Sequence, residues 1–311
     1  MAALLKRVRR PGPLVVISTA YLALASGIMI WRGISVSPDY LLLLMVPVAV
    51  LAGRLTGYLR DWVPFMAIFL GWEALRGIAP RMGIAPHVGE LATTETWLFG
   101  GHLPNAVLQT LTPPGPWLRT AAVISTVVYF CHFVFPLTVG LALWLVDRTQ
   151  FLRYTTALMG MAFVAFIVFL LVPTAPPWYA RDQGALHGFQ KLITTTLPSN
   201  ISPYYTALNP NKVAAFPSLH AAFPFLSFLT LRPLFPRASW LALGWCVLVW
   251  VSAVYLGEHY VVDILGGVLL AWGAWVVTMR VIVPRVSLLH RKAANRRREE
   301  EISGVEEAAA A

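Results

Sequence analysis

The chain predicts an all-α fold, a polytopic membrane helical bundle with six core transmembrane helices and about two more at the N-terminus. Three observations carry that expectation. Hydrophobic residues make up 58% of the 311 residues and charged ones only 12%, outside the composition of ordinary soluble domains. Pro and Gly are both plentiful, at 23 and 22 residues. The sequence also contains eight apolar runs, read against the roughly 30 Å of hydrocarbon that a span must cross.

In order, the runs are 14–31, 39–54, 62–79, 120–146, 154–172, 216–231, 239–256 and 259–283, the second and sixth being short. The first follows the basic "KRVRR" and contains "ALAS" at Ala23 to Ser26, a signal-peptide pattern. It continues through "GIMIW" beyond the cleavage point, which favours an uncleaved helix. Assigning Lys and Arg to alternate sides puts 17 of the 24 on one side, although the loops of the other side are much longer. The positive-inside rule then predicts an integral, multi-pass protein with both termini in the cytoplasm and the long loops 80–119 and 173–215 outside. The expected organisation is a basic cytoplasmic tail at 1–13, a membrane catalytic domain at 14–283, and a charged, disordered cytoplasmic tail at 284–311 carrying "RKAANRRREEE".

The external loops are more than linkers. "ETWLFGGHLPNAVLQTL" in loop 80–119 suits a short segment lying in the membrane interface. Loop 173–215 opens with "PTAPPWYARDQG", stiff in its prolines, with Trp178 and Tyr179 expected at headgroup depth. Such loops can form a lid over a lipid-facing site. The net charge of +10 is scattered between apolar runs or gathered at the ends, so it reads as a topology signal, with no nucleic-acid partner. Cys131 and Cys246 each sit in an apolar run and read as packing residues. No Gly-rich phosphate loop, dinucleotide fingerprint or zinc spacing occurs, and no carboxylate cluster is available for a metal; neither a metal nor a cofactor is expected.

Ionisable residues inside apolar helices are costly, and they mark candidate functional sites when a partner can be named. His259 and Asp263 are four residues apart, one helical turn on one face, where a carboxylate can hold one imidazole nitrogen and leave the other free. That is the logic of a nucleophile oriented by a third group; the same pair also fits a structural bond between helices. In "AAFPSLHAAFPF", Pro217 suits the first position of a helix, leaving the amides of Ser218 and Leu219 free for an anion such as phosphate. His220 then lies close enough to protonate a leaving oxygen, although a lone interfacial His needs no such role. Two such histidines on one side of one membrane compose a constellation for phosphoryl transfer through a phosphohistidine.

These residues resemble the type-2 phosphatidic acid phosphatase superfamily, whose second motif is Pro-Ser-Gly-His and whose third is Ser-Arg, about six residues, His, three residues, Asp. Here they read "PSLH" at 217–220 and "SAVYLGEHYVVD" at 252–263, with Tyr255, Gly257, His259 and Asp263 in step. The resemblance implies His259 as nucleophile, His220 as general acid and Asp263 as the group orienting His259. Two departures stand out. Ala253 replaces the motif arginine, and no Lys, six residues, Arg-Pro occurs: the "RP" near the second motif is Arg232-Pro233, with Phe225 where the lysine belongs. The same losses look like the inositol phosphorylceramide synthase branch, whose members move a phosphorylated headgroup from one lipid to an acceptor alcohol. "WEALRG", "LFGGHLPNAVLQ", "YFCHFVFPL", "VPTAPPW" and "NPNKVAAFPSLHAA" extend that likeness over most of the chain. Bacterial members of that branch need not use ceramide or inositol.

A transferring phosphoryl group needs positive charge. Arg181 and Lys212, flanking the motifs, are the expected phosphate-binding side chains, followed by Lys191 and Arg76, each set against simple contact with lipid headgroups. Glu258 is expected to be an exposed helix-end carboxylate, with proton acceptance as the alternative. His102, His132 and His187 are expected to be structural or surface residues. The function expected is a lipid phosphotransferase or phosphatase at the outer face, taking a lipid phosphate or phospholipid as substrate and water or an alcohol as acceptor. A haloperoxidase is disfavoured by the absent basic clamp and the membrane spans. A transporter or scaffold would suit the polar residues, but a transporter should show two matching halves, and none are visible.

Overall fold

The computed structural model describes residues 12–32, 37–197 and 211–288. The expected tail at 1–13 (all but its last two residues) and the expected tail from 289 onward lie outside them. Residues 284–288, expected in a disordered tail, instead continue the last helix to Leu288.

Every apolar run is helical. α1 (Pro13–Trp31), α2 (Pro38–Leu51) and α3 (Leu55–Arg76) come first, followed by the short loop helices α4 (Glu90–Leu98) and α5 (Pro104–Thr110). Next are α6 (Pro116–Phe130), α7 (Val134–Val146) and α8 (Arg148–Leu171), then two more loop helices, α9 (Pro177–Asp182) and α10 (Ile193–Thr196). α11 (Leu219–Leu234), α12 (Pro236–Tyr255) and α13 (Val261–Val277) complete the set, α13 running on through a π turn at Thr278–Ile282.

The expectation of six core transmembrane helices does not hold. Among the described residues three helices are long and apolar enough to cross a membrane: Arg148–Leu171, Pro236–Tyr255 and Val261–Leu288. A fourth is gained if α6 and α7, bent by 41° at their junction, count as one span. The reasons are local. α2 has 14 residues and α11 has 16, about 21 and 24 Å of helix against the ~30 Å core. α3 has the length, but it carries Arg60, Asp61, Glu73 and Arg76. The fold is all-α, and its long apolar helices, with outward side chains such as Leu241, Leu269 and Ile167, mark a membrane-associated protein.

The core is aromatic. Tyr58, Trp62 and Trp72 of α3 pack with Phe151, Tyr154 and Phe169 of α8 and Phe223 of α11, and the Trp72 indole N–H donates to the Ala162 carbonyl at 2.8 Å. At the end of the bundle away from the histidines, Asp61 accepts two bonds of 2.7 Å from Arg148 and one of 3.0 Å from Trp144. This clasp ties α3 to α7 and α8.

What positions the site is the approach of the segment before α11 to α13. The Ser218 amide donates to the Asp263 carbonyl at 3.0 Å. Backbones come this close only because Gly266 and Gly267 lack side chains: a Cβ on Gly267 would collide with the Ser218 carbonyl oxygen, and one on Gly266 with the Phe216 ring.

Candidate active site

The site brings together residues from Arg76 to His259, separated by as much as 183 positions. His259 lies in the turn between α12 and α13, a turn made by Gly257 at φ +78°, where a side chain would also press on Phe189. The ring's Nδ1 is 3.3 Å from Asp263 Oδ2, and that oxygen also accepts the Tyr260 amide at 2.8 Å. A carboxylate only accepts, so the shared proton sits on Nδ1 and the Nε2 lone pair of His259 faces His220. His220 Nδ1 stands 3.0 Å from that Nε2. The two rings are therefore in direct contact, and a phosphorus atom reaching Nε2 must take the place of the His220 proton.

His220 is the second residue of α11. Ser218 is its N-cap, with its hydroxyl accepting the Ala221 amide at 3.3 Å. Pro217 therefore precedes the cap and is not the first helical residue. The Ser218 amide, expected to be free for an anion, is already donated to Asp263. Leu219, as the first residue of the helix, has an amide with no intrahelical acceptor.

A cavity of about 60 Å³ borders both histidines, lined by Arg76, Tyr129, Pro176, Trp178, Asn211, Lys212, Ala214, Ala215 and Glu258 as well. Of the expected cations, Lys212 and Arg76 reach it. Arg76 closes α3, with its guanidinium on both Glu73 oxygens at 2.8 and 3.0 Å and over the Trp72 ring. Arg181 does not line it: that guanidinium bonds Asp182 at 2.6 and 3.0 Å and lies over Phe189. Lys191 stands just behind, 3.4 Å from the centre of the Trp178 ring and 3.9 Å from Glu258 Oε1. Burial holds the Lys191 ammonium below the usual lysine range, an effect that Glu258 partly opposes. Glu258 itself is not an exposed helix-end group; it is 5% exposed, on the cavity wall. Ala253, where the resemblance places an arginine, is fully buried against its neighbours, with its carbonyl accepting the Glu258 and His259 amides.

His132 was expected to be structural or a surface residue. It is 4% exposed and its ring centre lies 4.0 Å from that of His220, which also stacks on Tyr129 at 4.1 Å. His132 Nδ1 is held by the Tyr129 carbonyl at 2.6 Å. Its position in an apolar run was the available signal. His102 and His187 are exposed. Among the described residues, no group of three or more His, Cys, Asp or Glu is placed to hold a metal ion.

The two long loops frame the site. Asn105, fully buried, donates to the carbonyls of Val254 and His259 at 2.7 and 3.0 Å. Gln109 donates to the Tyr255 and Gln190 carbonyls and accepts the Gln190 amide. Glu95, fully buried, accepts the amides of Val261 and Val262 at 2.8 and 3.1 Å, capping α13 from another part of the chain. Burial raises the Glu95 pKa, and those two amides oppose the rise. Thr174 ties the start of the second loop to its end: its amide donates to the Val213 carbonyl, its carbonyl accepts the Ala215 amide, and its hydroxyl accepts the Phe216 amide, while His87 of the first loop donates its amide to the Pro173 carbonyl and accepts the Ala175 amide, both at 2.9 Å. Within "ETWLFGGHLPNAVLQTL", the side chains of Glu95, Asn105 and Gln109 face inward onto the turn that carries His259 and the start of α13.

An all-α membrane protein with paired histidines, one backed by an aspartate, fits the PAP2 superfamily model, which matches residues 89–277. The chain belongs to that superfamily, a family of enzymes. Its similar proteins point to one branch. It is 27% identical to the phosphoinositol dihydroceramide synthase of Bacteroides thetaiotaomicron, over 68% of this chain and 74% of that protein. It is 28% identical to the inositol phosphorylceramide synthase of Candida albicans and 26% identical to the catalytic subunit of that synthase from Schizosaccharomyces pombe, over 63% and 76% of this chain. The chain spans only 42% and 58% of those two fungal proteins' own lengths. No solved structure matches it.

Proposed function

We propose that this protein is a membrane phosphotransferase that moves a phosphorylated headgroup, such as phosphoinositol, from a phospholipid to an acceptor alcohol through an adduct on His259. The contact chain Asp263–His259–His220 at the wall of a cation-lined cavity carries this reading. His259 Nε2 attacks phosphorus, the bond to the departing lipid oxygen breaks, and His220 supplies that oxygen's proton. The acceptor hydroxyl then attacks the same phosphorus, gives its proton to His220, and releases His259 with its lone pair restored. Arg76 and Lys212 at the cavity, with Lys191 behind Trp178, take the place of the absent clamp and stabilise the charge that builds on the phosphoryl oxygens. The Leu219 amide adds one donor at a helix N-terminus.

Transfer is favoured over hydrolysis by the names of the relatives and by the Trp178, Pro176 and Tyr129 walls of a small cavity, which narrow the room left for water. The asymmetry of Lys and Arg supports a site at the extracytoplasmic face with both termini cytoplasmic. The test is product analysis by mass spectrometry, with purified wild type and His259→Ala given a panel of phospholipids and lipid phosphates, with and without alcohol acceptors. A new phosphodiester lipid that requires His259 is the expected result. Free phosphate that requires His259 would make the protein a phosphatase, and activity unchanged by the substitution would overturn the mechanism.

A further inference from the structure

The Arg232-Pro233 pair stands in the wrong place to serve the histidines. His220 is at the start of α11 and Arg232 near its end, about 18 Å away along the axis. The structure gives this arginine other company. A second cavity, of about 350 Å³, opens where the start of α8, the end of α11 and the end of α13 meet. Its charged lining residues are Arg153, Arg232 and Arg280, and no carboxylate is among the rest. Leu229, Pro233, Leu234, Trp275, Met279 and Val283 make most of its wall apolar. Arg232 is braced with its guanidinium carbon 4.8 Å from the Trp240 ring centre. Met279 and Arg280 belong to the π turn, an irregularity that costs regular helical bonding and recurs where helices serve a site.

Three like charges gathered on an apolar wall repel one another unless an anion joins them. A membrane supplies one ligand with both an anionic head and an apolar body. We propose that this cavity binds one anionic phospholipid, its phosphate among Arg153, Arg232 and Arg280 and its acyl chains along Leu229, Trp275 and Met279, at the end of the bundle opposite the candidate active site. The assignment stands independently of the chemistry at His259. Charge and wall together select the ligand: a free phosphate would leave the apolar wall unused, and a zwitterionic lipid would bring a cation to three cations.

The test uses the full chain purified in detergent. Native mass spectrometry would compare retention of phosphatidylglycerol with that of phosphatidylcholine. It would do so for wild type, the triple variant Arg153→Gln, Arg232→Gln, Arg280→Gln, the single variant Arg280→Gln and His259→Ala. Wild type and His259→Ala should retain one phosphatidylglycerol in preference to phosphatidylcholine. The triple variant should lose that preference by about 100-fold and the exposed-site Arg280→Gln variant by several-fold. The single variant decides the matter if the triple variant fails to fold. Equal retention of the two lipids by wild type, a preference that survives Arg280→Gln at full strength, or displacement by millimolar inorganic phosphate would each overturn the proposal.

Discussion

Replacing Asn105 by leucine keeps the volume of a fully buried side chain and removes its two donors. The cost can be apportioned from the structure. The Val254 carbonyl also accepts the Gly257 amide at 3.0 Å, so it keeps a partner and loses only one bond. The His259 carbonyl, whose bond to Asn105 is 3.0 Å, becomes a stranded acceptor in a buried turn. One lost bond is worth about 1 kcal/mol and one stranded buried carbonyl about 1–3 kcal/mol, so the variant should be less stable by about 2–4 kcal/mol. On the proposed mechanism, the effect on turnover should exceed what lost folded protein explains, because the released carbonyl belongs to His259, the proposed nucleophile. A displacement of about 1 Å there costs on the order of 100-fold in rate. The assay is lipid transfer at saturating donor, normalised to folded enzyme, beside thermal unfolding in the same detergent. The expected pattern is a lower Tm and a kcat reduced far more than KM is changed. A variant that unfolds earlier but turns over normally when folded would refute the positioning argument and leave Asn105 as a packing residue.

Two further outcomes follow from the same geometry. Gly267→Ala puts a methyl group into the Ser218 carbonyl, an overpacking cost of about 1–3 kcal/mol, and by prising α11 from α13 it should part His220 from His259 and abolish turnover; full activity would show that the two helices need not touch. Lys191 has a folded-state pKa lowered by burial, so the folded protein gives up this proton before the unfolded chain does. Its stability contribution is complete above the ordinary lysine value of about 10.4 and is lost as pH falls through the folded value, and its charge is gone at a lower pH than that of a free lysine. The alkaline limb of kcat should therefore fall below about 10.4 and move up in Lys191→Arg, whose guanidinium stays charged; a limb that stays put would remove Lys191 from the electrostatics of the reaction.

How much was legible beforehand depends on how far apart the partners are in sequence. The His259–Asp263 relation needs only one helical turn, and the Pro-Ser-Leu-His segment announces a helix start by its own residue types. Both could be read directly, as could the apolar composition that marks a membrane-associated protein. The number of spans could not be read so simply, because an apolar run counts residues while a span needs unbroken helix: the α6–α7 bend and the four charged residues of α3 shorten what composition suggested. The first position of α11 was also missed: Ser218 caps the helix by accepting the Ala221 amide, and its own amide is taken by the Asp263 carbonyl of another helix, a pairing that local residue types do not record.

Residue identity and local spacing determined the helical class, the membrane setting and the two histidine motifs. Tertiary structure alone decided which cations surround them, choosing Arg76 and Lys212 over Arg181, and that His132 joins His220, Glu258 is buried, and Glu95, Asn105 and Gln109 hold the turn that carries His259. For Glu95, Asn105 and Gln109 the physical reason is that their bonds join groups 81 to 167 residues apart. Each polar side chain satisfies a buried backbone group that only the packed fold creates, and no periodicity along the chain records such a pairing.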